Sequence, residues 1–301
     1  MNKVLLAGGA GLVGQSLLKV LDHSELDITV VDRDVAMLNI LRSHYPDVKF
    51  INTDLSDGDA VKKLALSFDC IVMMQALIKG LNYLDFHQNT VMSTQNLLSQ
   101  IKNQKVNTYL IHVSSSVINS KADDFYTRSK REQEQLVMNS SLQKVILRPT
   151  LMYGEGDNKH FYALINLMRK FPFFPMPGSG NYIRQPLYAL DFAHVIKDCI
   201  KDPKKGIYNI SGLEFITFKD CLIKFKRHYQ CFSLITPIPV FMFRLLLRLA
   251  ALITKKVPFT EQQLDALIIP ETFERIDWPH IFNTTYTTFD DGIKKFEYKF
   301  K

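Results

Sequence analysis

The stretch "AGGAGLVG", residues 7–14, constrains the fold of this chain more than any other. It follows the apolar run "KVLL" and precedes an amphipathic segment. Its glycines can be read in two registers. Gly9, Gly11 and Gly14 give G-x-G-x-x-G, whereas Gly8, Gly11 and Gly14 give G-x-x-G-x-x-G. Both require a strand, a tight turn and a helix whose N-terminal N–H groups face a pyrophosphate. The residues that follow must decide between them.

The first half of the chain alternates apolar runs with helical patterns. Residues 3–9, 27–32, 48–54, 68–74, 107–115 and 144–150 read as buried parallel strands, and 12–22, 34–44 and 87–103 as helices. Strands and helices alternating in this way imply right-handed βαβ crossovers. The fold class expected is α/β: a Rossmann-type doubly wound parallel sheet with a smaller, mostly helical C-terminal substrate domain. "RQPLYALDFAHVIKDCIKD" reads as a strand followed by a helix, "GIYNISG" as another strand, and the Pro-, Gly- and aromatic-rich "RKFPFFPMPGSGNY" as a structured loop. The expected division is 1–155 with 186–212 for the dinucleotide-binding domain, and 156–185 with 213–301 for the smaller one.

Composition excludes several classes. The chain has 301 residues and is 47% hydrophobic, which suits a globular protein with a large core. Cys70, Cys199, Cys221 and Cys231 form no C-x-x-C pair and sit among apolar neighbours, so core thiols in a reducing, cytoplasmic setting are expected. The eight histidines contain no H-x-x-x-H pair, so no metal site is expected. A net charge of +7 suits a polyanionic small substrate or an anionic membrane surface. There is no basic stripe with interleaved aromatics, so no nucleic-acid partner is expected. The lysines at 294, 295, 299 and 301 read as a solvated end, and the N-terminal glycines are too dense for an export signal.

Asp32 stands 18 residues beyond Gly14, at the end of the second strand, where its carboxylate can accept from the adenosine ribose hydroxyls. It would repel a 2′-phosphate, so NAD is favoured over NADP, with Arg33 beside it as the feature that suits NADP. Tyr126 and Lys130 form Y-x-x-x-K, a spacing that puts both on one helix face. A nearby ammonium and a positive nicotinamide ring would lower the tyrosine from its ordinary value near 10. Upstream, "HVSSS" ends the fifth strand in Ser114, Ser115 and Ser116, any of which offers a hydroxyl for the reacting oxygen of a substrate.

Together "AGGAGLVG", Asp32, Asp54, "SSSVINS", "YTRSK" and "ILRPTLMYGEGD" resemble the extended short-chain dehydrogenases, in particular the NAD-dependent epimerases and dehydratases of nucleotide sugars. That resemblance selects Gly8, Gly11 and Gly14 as the working register. It implies that Ser115 is the catalytic serine, Tyr126 the acid/base and Lys130 its partner. It also implies that Gly8, Gly11, Leu12 and Val13 line the pyrophosphate turn, with Asp54 and Leu55 at the adenine. Gln75 and Ala76 would run along the cofactor, with Pro149 closing over the nicotinamide. Ser116, Tyr153 and Arg184 would meet the substrate, Arg184 against its diphosphate. The chain departs from the family pattern at Ala7, Thr90, Ser93, Asn119 and Ser120. Ser116 and Val117 stand where the 4,6-dehydratases carry an acid and a base, so dehydration is not expected.

The expected function is NAD-dependent epimerisation or 4-keto reduction or oxidation of a nucleoside-diphosphate sugar. Two alternatives stand beside it: a non-catalytic NAD(P)-binding assembly or regulatory protein, and a reductase of a steroid- or quinone-like substrate. Residues 240–253 are too short to span a bilayer, and Arg244 and Arg248 at i, i+4 would mark the wet side of the helix. That helix is expected over the cleft or at an oligomer contact such as a homodimer, with peripheral membrane contact as the alternative.

Overall fold

The computed structural model describes residues 2–80, 82–103, 107–157, 161–253, 261–269 and 271–295. Seven strands form one parallel sheet: β1 Lys3–Ala7, β2 Asp27–Asp32, β3 Lys49–Asn52, β4 Cys70–Met73, β5 Tyr109–Val113, β6 Lys144–Pro149 and β7 Gly206–Ile210. Their spatial order is β7-β6-β5-β4-β1-β2-β3. The order reverses between β1 and β4, which opens a crevice at the carboxyl ends of those two strands.

Period-two alternation sends side chains to opposite faces. Val4, Leu6, Val72, Ile111 and Val145 join one core, while Leu5, Ile71, Leu110 and Ile146 join the other. The main helices are α1 Leu12–Val20, α2 Val35–His44, α3 Ser93–Asn103, α4 Phe125–Asn139, α5 Phe161–Lys170, α6 Ala189–Lys201, α7 Phe218–His228, α8 Val240–Ile253 and α9 Glu261–Ile268. Leu17 of α1 and Phe192, Val195 and Ile196 of α6 cover the first face. Leu97 and Ile101 of α3 and Val137 of α4 cover the second. The helical pattern at 87–103 opens with a wider π-helical turn, His87–Met92, before α3.

A separate core lies beyond β6. Phe161, Ile165 and Met168 of α5 pack with Phe218, Leu222 and Phe225 of α7. The segment read as a structured loop is instead a strand, Phe173–Pro177, paired in parallel with Leu234–Ile238. Its prolines lack N–H groups, which a two-stranded ribbon tolerates and a central strand does not. Trp278 and Phe282, from the stretch assigned to the smaller domain, pack in the first core. All four cysteines are buried and unbridged. Among the described residues there is no cluster suited to a metal, and no helix is long and apolar enough to cross a membrane. Lys299 and Lys301 lie outside the described residues.

Candidate active site

The glycine turn connects β1 to α1 and is shaped by close approach. Gly8 has φ +75°, and a Cβ there would lie 2.7 Å from the Gln75 backbone just after β4. A Cβ on Gly14 would lie 2.1 Å from the Gly9 carbonyl oxygen, so only glycine lets α1 seat on the turn. Gly11 caps α1 with no side-chain acceptor, which leaves the first-turn amides of Leu12 and Val13 to an anion. Asp32 anchors the same turn. One carboxylate oxygen accepts from Ala10 N and the other from Asp34 N, both at 3.0 Å.

Arg33 is turned to Asn89 and lies 3.7 Å from Asp54. Burial raises the Asp54 carboxyl, but hydrogen bonds from Ser56 and the Arg33 guanidinium outweigh it and hold Asp54 below its ordinary value. The Leu55 and Ser56 carbonyls each accept from Asn96 Nδ2 at 3.1 Å, which fixes the loop after β3. Leu77 N donates to Thr90 Oγ1 at 3.0 Å, so one departure from the family pattern secures the segment after β4 that carries Gln75 and Ala76. These features fit an NAD molecule: a glycine cradle, open helix amides and a carboxylate at the end of β2.

Opposite the turn, Ser115 follows the end of β5, and Tyr126 and Lys130 lie on the first turns of α4. Asp124 starts that helix by accepting from Thr127 N at 2.7 Å. Ser115 lies close enough to the Tyr126 phenol to pull it down. Lys130 is buried, and its ammonium donates to the Val113 carbonyl at 2.9 Å and to Gln133 Oε1 at 2.5 Å. Desolvation brings Lys130 down to about 7, against the pull of Glu134. Burial pushes Tyr126 up, and Ser115 only partly opposes this, because the ammonium is directed to Val113 and Gln133. Ser116, also buried, begins a short 3-10 turn to Asn119.

Tyr153 corrects an expectation. It is fully buried against Phe161, Tyr188 and Phe289, and its hydroxyl donates to Thr288 O at 3.4 Å. A ring locked in that core does not reach a substrate. Pro149 closes β6, and Thr150 directly after it donates to Gln185 O at 2.6 Å. That bond ties Arg184 to the end of β6. The half-buried Arg184 guanidinium donates to the carbonyls of Ile183 and Leu267, and it pairs with no carboxylate among the described residues. Burial lowers it from its ordinary value, yet an arginine keeps its charge.

Two groups escaped the sequence reading. Gln133, fully buried, accepts from Lys130 and donates to Gln75 O and Thr94 Oγ1, linking the lysine to the cofactor turn. Glu134 takes Arg148 in a two-point pair, at 2.5 and 3.1 Å, and also accepts from Ser114 Oγ. The i, i+4 spacing of Lys130 and Glu134 was the available signal for the second group.

The α8 arginines lie on a polar side of the helix that faces α9. Arg244 pairs with Asp265 and Arg248 with Glu261, both acids on α9, although Arg248 still reaches solvent. Beside them, Phe241, Met242, Leu245, Leu246 and Leu249 of α8 are exposed.

A 2-alkyl-3-oxoalkanoate reductase of Stenotrophomonas maltophilia is 28% identical over 184 residues, 52% of this chain and 53% of that protein. An N-acetyl-alpha-D-glucosaminyl-diphospho-ditrans,octacis-undecaprenol 4-epimerase of Escherichia coli is 24% identical over 235 residues, 69% of this chain and 66% of that protein. The alignments thus span about half to two thirds of these relatives' own lengths. The fold is shared with the Bordetella bronchiseptica enzyme WbmF, solved with NAD+ and UDP: TM-score 0.76, 19% identity, covering 98% of this chain and 90% of that one. The family model for the NAD dependent epimerase/dehydratase family matches residues 4–211, and the chain belongs to that family.

Proposed function

We propose that this protein is an NAD-dependent epimerase or 4-keto reductase/dehydrogenase of a nucleoside-diphosphate sugar. The observation that carries the reading is that Ser115 follows the end of β5 beside α4, where Tyr126 and Lys130 lie one turn apart, and that Gln133 ties Lys130 to Gln75, whose backbone packs against Gly8 of the glycine turn. In its phenolate form Tyr126 accepts the proton of the sugar hydroxyl and becomes the neutral phenol. Ser115 holds the same substrate oxygen and directs its proton. An ammonium has three donors, so Lys130 in its charged form keeps one N–H beyond those given to Val113 and Gln133, and that donor is the one we assign to the nicotinamide ribose. NAD, when bound, supplies the hydride acceptor. Arg184, a half-buried cation with no carboxylate partner among the described residues, is the group for the diphosphate. In this reading residues 156–185 and 213–301 form the substrate-binding part.

The test is turnover of UDP- and dTDP-hexoses alongside mass spectrometry of molecules released on denaturation. Tyr126→Phe should bind NAD nearly as well as wild type while turnover falls about 10²- to 10⁴-fold, the usual worth of a positioned acid/base. Unchanged turnover in that variant sinks the assignment. The similarity to the 3-oxoalkanoate reductase favours a second reading, reduction of a hydrophobic ketone. Arg184→Ala separates the two, since it should weaken a diphosphate substrate strongly and a hydrophobic ketone little.

A further inference from the structure

Two outward apolar surfaces lie outside the second core, and one ribbon joins them. At its start, Leu234 pairs with Phe173, Leu234 N donates to Pro172 O at 2.7 Å, and Ser233 Oγ donates to Met168 O at 2.8 Å. The two chain segments therefore meet at one tip. Alternation sends Phe174, Cys231 and Ser233 inward, and leaves Phe171, Phe173, Phe232 and Leu234 outward. Phe173 and Phe232 are 63% and 61% exposed, far more than a packed phenylalanine. At the far end of the ribbon, Gly178 N donates to Ile238 O, and Met242 N to Pro239 O, which leads the chain directly into α8. That helix presents Phe241, Met242, Leu245, Leu246 and Leu249 to solvent, with Phe241 at 72%. These positions form a single stripe at i, i+1, i+4, i+5 and i+8.

Charge decides the occupant. Residues 161–190 and 221–253 contain no Asp or Glu. Arg169 and Lys170 end α5, and Lys226 and Arg227 end α7, so both helices deliver cations beside the phenylalanine tip. A second copy would bring this cationic collar against itself. A surface of acidic lipid headgroups complements it, and apolar side chains below such a collar reach the acyl boundary.

We propose that the Phe171–Phe173/Phe232–Leu234 tip and the outer face of α8 together dock this protein on an anionic bilayer surface, without spanning it. The proposal stands independently of the hydride-transfer reading, because none of these residues lies in the candidate active site. The experiment is co-sedimentation of the full chain with phosphatidylglycerol/phosphatidylcholine vesicles and with phosphatidylcholine vesicles alone. Binding should be at least about tenfold stronger to the anionic vesicles and should fall as salt rises. Phe173→Ser/Phe232→Ser and Leu245→Gln/Leu249→Gln should each lower binding several-fold, and Lys170→Glu/Arg227→Glu should remove the preference for anionic lipid. NAD binding and the thermal unfolding midpoint of each variant serve as folding controls. A Phe173→Trp reporter gives an independent readout, because the only native tryptophan, Trp278, is fully buried. Its emission should shift to the blue with anionic vesicles. Failure of wild type to sediment with either vesicle overturns the proposal. So does dimerisation in sedimentation velocity that the α8 variants abolish, with no vesicle binding, which assigns the face to a second copy.

Discussion

An ammonium buried to the extent of Lys130 is tolerated only where carbonyl and amide oxygens replace its water. Val113 O and Gln133 Oε1 do so here, and desolvation still moves the group from its ordinary 10.5 to about 7. The displacement has a direction in stability. The folded chain releases this proton near pH 7, whereas the unfolded chain holds it to about 10.5, so the unfolded state binds more protons between those limits. Stability contributed by this site therefore rises with pH across that window. Urea unfolding at pH 7 and pH 9 should show the rise in wild type, and Lys130→Met should remove most of it. An equal rise in the variant would assign the effect to other groups. The lysine and Tyr126 were legible in the sequence because four-residue spacing fixes their common face. Gln133 was not, since a glutamine inside a charged stretch, "KREQEQ", carries no mark of being the one turned inward.

The elements that hold the site were mostly legible as well, because buried parallel strands declare themselves as short β-branched runs between glycines and capping residues. The glycine turn illustrates why: a single backbone requirement at Gly8 and another at Gly14 fix strand, turn and helix together. The ribbon Phe173–Pro177 was not legible, because proline and glycine there mimic a loop, and its partner strand lies about sixty residues away in sequence. Tyr153 was misplaced for a related reason. The "MYG" stretch borders the crevice, but only the three-dimensional path of the C-terminal segment brings Phe289 and Gly292 over the ring. What ties α4 to β6 is the buried Glu134–Arg148 pair. Arg148→Met strands a carboxylate that is almost fully buried and should cost about 3–5 kcal/mol of unfolding free energy. Arg148→Met with Glu134→Leu removes both charges and should recover much of that loss. Chemical denaturation of the three proteins checks the ordering, and a double variant no better than the single one would show that the pair is not what matters.

At the scale of the molecule, the C-terminal segment belongs to both cores. Trp278 and Phe282 pack under the sheet, while Phe289 and Ile293 complete the core built on α5 and α7. Between them, Thr287 donates to the Asp191 carboxylate of α6 through its backbone N–H at 2.6 Å and its hydroxyl at 2.8 Å. A division that assigns everything after residue 212 to the smaller unit overlooks this stitch, since hydrophobic periodicity shows that a helix turn is buried without showing in which core. The stitch has a thermodynamic consequence. If both cores depend on it, damage to the second must be felt in the first. Phe289→Ala, deep in the second core, should destabilise by about 3–5 kcal/mol. Because the only tryptophan sits in the first core, its fluorescence reports on that core alone. In the variant, the Trp278 transition and the far-UV circular dichroism transition should move together to lower denaturant, as expected for one cooperative unit. A Trp278 transition that stays in place while the dichroism splits into two steps would mean that the sheet holds this segment without the second core.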